Sequence, residues 1–270
     1  MAAWLTRPGS GVCILSAVRD YLDLPRPLAF AHRGGAAHCP ENSFRAFEHA
    51  VSLGYSYLET DVHATADGVL VAFHDRVLDR VTDRSGEIAR LPYREVSAAR
   101  IAGTDPIPLL EDLLGSWPQA RFNIDVKAAT AVRPLVEVLA RTAAWDRVCV
   151  VSFSAWRLAS VRRALPRPVC TATSPLGIAA MRLGAPRPVL AARLRRLSVR
   201  CAQIPASIAT VSFLRRAHAA GLQVHVWTVN DRAAMTDLLD LGVDGIMTDE
   251  TQALRDVLTA RGQWHGAPAG

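Results

Sequence analysis

From Leu28 onward, two hydrophobic periodicities alternate along the chain. Short runs rich in β-branched and aromatic residues give way to longer stretches with apolar positions at helical spacing. This is the pattern of βα units around a parallel sheet. The runs predict strands over residues 28–32, 57–64, 122–126, 148–152, 169–172, 201–204, 223–227 and 245–248. The helical spacing predicts helices over 43–53, 132–143, 155–164, 211–219, 232–239 and 251–260. Eight such units imply an α/β fold of the (β/α)₈ TIM-barrel class, and 270 residues suit one barrel domain. Local chemistry agrees with the boundaries. Ser174-Pro175 offers a capping hydroxyl before a proline suited to the first helical position. Asn42, Asn230 and Asp249 are expected to cap helix starts, and Gly221 and Gly242 to end helices.

One run breaks the alternation. Residues 69–75 are strand-like, yet only Ala66-Asp67-Gly68 separates them from the preceding strand. An Asp-Gly turn between two β runs signals a hairpin and is too short for a parallel crossover. The expectation is an extra antiparallel strand that folds His74 back toward Asp61. Residues 76–108, rich in charge and turn residues, then read as a small cap insertion. The whole of 1–270 reads as a single domain with its core over 26–261 and peripheral tails on either side.

Composition narrows the class. Half of the residues are hydrophobic, but no apolar run approaches the length of a membrane span. Arg7 and the apolar stretch 12–18 are a weak targeting signal, too short, with Arg19-Asp20 where a small-residue cleavage site belongs. Cys13, Cys39, Cys149, Cys170 and Cys201 are odd in number, widely spaced and without a CxxC pair, which reads as reduced thiols in a cytoplasmic protein. The formal charge is +6, carried almost wholly by arginine, since Lys127 is the one lysine. Arg187, Arg193, Arg195, Arg196 and Arg200 form a basic run without aromatic interleaving. It reads as a solvated face rather than a nucleic-acid or membrane surface.

In a (β/α)₈ barrel, functional side chains stand at the C-terminal ends of the strands. That rule selects His32, Arg33, Glu59, Asp61, Asp125, Lys127, Ser152-Phe153, Trp227, Asn230 and Asp249, and the hairpin adds His74. Glu59 and Asp61 are two apart on a strand and point the same way. Like charges so close need a shared cation or proton. With Asp125 they make an all-oxygen set that suits Mg²⁺ or Ca²⁺ better than zinc; the weaker reading pairs the acids with Arg33 and Lys127 as structural ion pairs. His32 and His74 are the acid–base candidates, and His63 shares the face of Glu59 and Asp61. Arg33 and Lys127 could neutralise a phosphoryl group, and a Schiff-base role for Lys127 is the weaker reading.

At these residues the sequence resembles the glycerophosphodiester phosphodiesterase family. The matching elements are His32-Arg33-Gly34, Pro40-Glu41-Asn42, Glu59-Thr60-Asp61-Val62, the Asp67-Gly68 turn before His74-Asp75, and Asp125-Val126-Lys127. Ser152-Phe153, Val226-Trp227-Thr228-Val229-Asn230 and Thr248-Asp249 complete the ordered set. The resemblance implies His32 and His74 as the catalytic pair, and Glu59, Asp61 and Asp125 as ligands of a divalent cation. It further implies Arg33 and Lys127 on the phosphate and Trp227 lining the substrate pocket. A glycerol hydroxyl would act as internal nucleophile on a small glycerophosphodiester, giving glycerol 3-phosphate and an alcohol. The family commonly has Glu where this chain has Asp125, which bears on the choice of metal. Two alternatives stay open: a lysophospholipase D-like activity on lipids, whose chain fit would depend on the 76–108 insertion, and a barrel that binds phosphodiesters or anionic membrane without turnover.

Overall fold

The computed structural model describes residues 21–184 and 187–266, with the side chains of 187–190 and 193 excepted. The targeting-like stretch 12–18, Cys13 and the side chains of Arg187 and Arg193 lie outside the described residues. In chain order the first half holds β1 (Leu28–Ala31), α1 (Phe44–Ser52), β2 (Tyr57–Ala64), β3 (Leu70–Ala72), α2 (Tyr93–Val96), β4 (Arg100–Ile101), β5 (Asp105–Pro106), α3 (Leu110–Ser116), β6 (Arg121–Val126) and α4 (Val132–Thr142). The second half holds β7 (Val148–Val151), α5 (Ala155–Ala164), β8 (Cys170–Ala172), α6 (Pro175–Arg182), α7 (Arg187–Arg196), β9 (Val199–Pro205), α8 (Val211–Ala219), β10 (Gln223–Trp227), α9 (Arg232–Leu241), β11 (Gly245–Thr248) and α10 (Thr251–Ala260).

Strands β1, β2 and β6 to β11 pair in parallel, and the β1–β2 pairing closes them into a barrel. Strand β3 adds to β2 antiparallel, with Val62 opposite Ala72, as the Asp-Gly turn implied. Alternation along each strand sorts the side chains into two cores. On β2 and β6, Leu58, Val62, Phe122, Ile124 and Val126 face outward into the layer beneath the helices. Tyr57, Cys149, Cys170, Cys201 and Met247 fill the lumen below the site. Glu59, Asp61 and Asp125 follow on the lumen side one and two steps higher.

The sequence expectations need adjusting at several ends. His32 leaves the first strand for a short 3₁₀ turn over His32–Gly34, and the strand expected over 69–75 shortens to Leu70–Ala72. Residues 21–25 are no peripheral tail. Tyr21 is fully buried in the barrel floor, stacks edge-on against Tyr57 and accepts the Tyr57 hydroxyl at its carbonyl. Trp264, beyond the expected core, likewise packs on Tyr55. The insertion over 76–108 builds an apolar cluster around Phe73, Leu78, Ile88, Val96 and Ile101. It returns to the open edge of β3, where Ala72 N donates to Pro108 O.

The three expected caps are displaced by one residue each. Ser43, not Asn42, caps α1, and Asp231, not Asn230, caps α9. Glu250 precedes α10 in place of Asp249, with no side-chain cap. Asn42, Asn230 and Asp249 turn their side chains toward the barrel mouth instead.

Candidate active site

The site begins at a turn that few sequences adopt. Arg33 has a left-handed backbone (φ 51°, ψ 32°), which costs a non-glycine residue on the order of 1–3 kcal/mol. The geometry brings its backbone N–H onto Glu59 Oε2 at 3.0 Å. Its guanidinium reaches Asp61 Oδ2 at 3.3 Å and Glu41 Oε1 at 3.0 Å. Gly34 follows with φ +82°, and a Cβ there would meet Ala46 Cβ and Phe47 N at 2.8 Å. The glycine therefore lets the turn lie directly on α1. Asn42 is also left-handed, a conformation Asn tolerates better than most residues. Its backbone N–H donates to Arg33 O at 2.9 Å, its Nδ2 donates to Asp61 Oδ2 at 3.1 Å, and its Oδ1 accepts from Thr60.

A cavity of about 150 Å³ opens above this turn, lined by His32, His74, Glu59, Asp61, Asp125 and Lys127, with Arg33, Phe153, Gln203 and Trp227 around its rim. The eight residues to which the resemblance assigns a role thus meet at one cavity, while Ser152, Asn230 and Asp249 lie outside its lining. Lys127 Nζ stands 2.9 Å from Asp61 Oδ1 and 2.7 Å from Asp125 Oδ2. Burial raises the Asp61 carboxyl, but Lys127 and Arg33 outweigh it and hold the group below the usual range. Burial and Asp61 push Glu59 up to about 7. Burial also leaves Asp125 raised despite Lys127. Lys127 and Arg33 are thus engaged by carboxylates, with Phe153 beneath the ammonium at 5.6 Å.

The two histidines are built alike. His32 Nδ1 lies 2.7 Å from Asp249 Oδ1, and His74 Nδ1 lies 2.6 Å from Asp75 Oδ1. An ionised carboxylate only accepts, so Nδ1 carries the proton in each ring and Nε2 is left for the cavity. Burial lowers His32, but Glu59 and Asp249 outweigh it and leave the imidazole raised. Asn230 steadies Asp249 from the far side, Nδ2 donating to Oδ2 at 2.9 Å, while Asn230 Oδ1 accepts the Asp249 N–H. Arg80 from the insertion clamps both Asp75 and Glu41. An ion-pair chain thus runs Arg33–Glu41–Arg80–Asp75–His74. His63 lies 3.1 Å from the His74 carbonyl through Nε2. The supporting roles of Glu41, Asp75, Arg80 and Asp249 escaped the sequence reading. For Asp75 the signal was its place next to His74; the strand-end rule did select Asp249, but without its part behind His32. Ser152 proves structural, donating to Val126 O at 2.9 Å.

Among the described residues no three His, Cys, Asp or Glu side chains already stand as a metal cage, because Lys127 lies between two of the acids. The donor chemistry nevertheless fits a hard cation. Asp125 Oδ1 is buried without a hydrogen-bond partner among the described residues, and Glu59 is raised by like charge that a cation would relieve.

Fold and site together define a TIM barrel with a carboxylate-rich polar centre between two histidines at the C-terminal ends of its strands. Residues 32–253 match the glycerophosphoryl diester phosphodiesterase family. A Mycobacterium tuberculosis protein named probable glycerophosphodiester phosphodiesterase 2 is 42% identical over 247 residues, covering 89% of this chain and 94% of its own. The human protein named lysophospholipase D is 29% identical over 266 residues, covering 84% of this chain and 85% of its own. A phosphodiesterase from Oleispira antarctica, solved with the product sn-glycerol 3-phosphate, superposes with a TM-score of 0.75 at 25% identity, covering 87% of this chain and 97% of that one. The chain belongs to the glycerophosphoryl diester phosphodiesterase family and is a phosphodiester hydrolase.

Proposed function

We propose that the chain hydrolyses small glycerophosphodiesters to glycerol 3-phosphate and an alcohol in a divalent-cation-dependent reaction, with His32 and His74 as the acid–base pair. The observation that carries this reading is the pairing of both Nδ1 atoms with carboxylates, Asp249 and Asp75, beside one acidic cavity. Glu59, Asp61 and Asp125 would hold Mg²⁺ or Ca²⁺, which when bound supplies positive charge to the phosphoryl oxygens. Arg33 and Lys127 add fixed charge on the phosphate, and Trp227 lines the substrate pocket. One histidine accepts the proton of a glycerol hydroxyl as its oxygen attacks phosphorus. The other donates a proton to the departing alkoxide. The same pair, with roles exchanged, then directs water to open the cyclic phosphate.

The reading assigns one catalytic domain, with its core widened from 26–261 to 21–264 and insertion 76–108, working in cytoplasmic lipid and glycerol metabolism. No helix among the described residues is long and apolar enough to cross a membrane. The test is release of glycerol 3-phosphate from glycerophosphocholine. His32→Ala and His74→Ala are each expected to lose at least about 10²-fold in kcat while melting as the parent does. Near-parental turnover by either variant sinks the acid–base assignment. Chelation should abolish turnover and Mg²⁺ or Ca²⁺ restore it, and indifference to chelator removes the cation from the reading.

A further inference from the structure

We propose that an apolar chamber beside the catalytic cavity receives a hydrocarbon chain carried by the phosphodiester substrate, with Ile178 and Ala179 of α6 setting the length accepted. The proposal rests on the phosphodiesterase reading above. The chamber encloses about 340 Å³ and shares Val151, Phe153, Gln203 and Trp227 with the catalytic cavity. Phe153 and Trp227 meet edge to face at 5.4 Å where the two spaces join. The chamber therefore adjoins the place where a phosphate would sit over the acids, with the Phe153 and Trp227 rings at the boundary.

The chamber exists because β8 ends in small residues. Ala172 lines it from the strand end, where other strands bring larger side chains to the lumen. Ser174 caps α6 and Pro175 starts it. Gly177 then packs so closely that a Cβ would meet Thr173 Oγ1 at 2.1 Å. That approach sets Ile178 and Ala179 as one wall, opposite Ile208 beyond β9. Two polar side chains of the lining, Ser152 and Gln203, are already engaged. Ser152 bonds Val126 O and Arg157, and Gln203 Nε2 donates to Asn123 Oδ1 at 2.7 Å. Arg182, in the exposed last turn of α6, is the sole charged residue of the lining. What faces the space is mostly hydrocarbon, which favours an apolar guest over water. An apolar cavity of about 150 Å³ holds a benzene ring, so a chamber of about 340 Å³ has room for a chain of roughly ten carbons. The insertion over 76–108, where sequence placed the question of chain fit, lines neither space.

A chain can arrive on either side of the phosphate, as an alkanol leaving group or as an acyl group on the glycerol. Purified full chain with Mg²⁺ or Ca²⁺ is assayed on both series, monomeric in solution, at about two to ten carbons. The first series releases alkanol and glycerol 3-phosphate, and the second releases choline and an acylglycerol phosphate. In at least one series kcat/KM is expected to rise about threefold to fourfold per methylene. Ala179→Trp should cut the ten-to-two-carbon ratio by at least about tenfold, and Ile178→Ala should move the optimum to longer chains. A flat dependence in both series overturns the proposal. If glycerophosphocholine and every other substrate resist turnover, the phosphodiesterase reading fails on its own. Calorimetric titration with the same compounds then decides the chamber: affinity rising with chain length and weakened by Ala179→Trp supports it, and affinity independent of length overturns it.

Discussion

Asp249→Asn isolates what the carboxylate behind His32 contributes, because it changes almost nothing but charge and hydrogen-bond direction. Asp249 accepts twice, from His32 Nδ1 at 2.7 Å and from Asn230 Nδ2 at 2.9 Å. An asparagine has a single acceptor oxygen, so one of those bonds must fail. If the oxygen stays with Asn230, the new amide points an N–H at His32 Nδ1. The imidazole proton then moves to Nε2, and the nitrogen facing the cavity loses its lone pair. If the oxygen turns to His32, two N–H groups oppose each other at Asn230. Either outcome removes one of the two charges that hold His32 raised, Glu59 being the other.

A charge partner at this distance is worth about one to three pH units. Glu59 remains beside His32, so the downward shift is expected to be partial. Loss of the correct tautomer in comparable dyads costs about 10²–10⁴ in kcat. The assay is kcat across pH 5–9 on glycerophosphocholine at saturating metal. The limb belonging to His32 should move to lower pH, whichever way the proton travels, because the cationic form has lost its partner. A purely structural Asp249 would lower the melting temperature and leave the limb in place. Parental kcat, or a limb that stays put while kcat falls, would refute the orienting role.

Other outcomes follow from neighbouring contacts. Gly34→Ala places a Cβ 2.8 Å from α1 at a positive φ, so urea denaturation should show a loss of at least about 2 kcal/mol. Hydrogen bonds from Arg80 hold Asp75 at about 2, so this pair adds stability that is full above the unfolded value near 4 and drains away as pH falls from about 4 to about 2. Arg80→Ala should therefore lose less stability than the parent between pH 5 and pH 3, and equal losses would discount the pair. Asp125→Glu lengthens the acid whose Oδ1 lacks a partner. It should keep turnover within about tenfold and alter the Mg²⁺ to Ca²⁺ preference, and complete inactivation would show that Asp125 fits a different geometry.

How much of this was legible in the sequence depends on what each residue answers to. Strand parity is local, so the shared face of Glu59 and Asp61 and the return of His74 on an Asp-Gly hairpin could be read directly. The displaced caps show where that stops. In a barrel the loop after each strand is both the rim of the site and the start of the next helix. The residues that cap helices, Asn and Asp, are also those that orient charged groups. Asn42, Asn230 and Asp249 satisfied the capping pattern, yet Ser43 and Asp231, one step on, took over two of the three helix starts. Their own side chains went to Asp61, Asp249 and His32. At Asn42 the left-handed backbone turns the side chain to the site, and no periodicity encodes such a turn. The apolar chamber lay further out of reach, because it comes from what Ala172 and Ala179 lack. A reading keyed to chemistry-bearing side chains passes over small residues, and here those residues shape the space beside the acids.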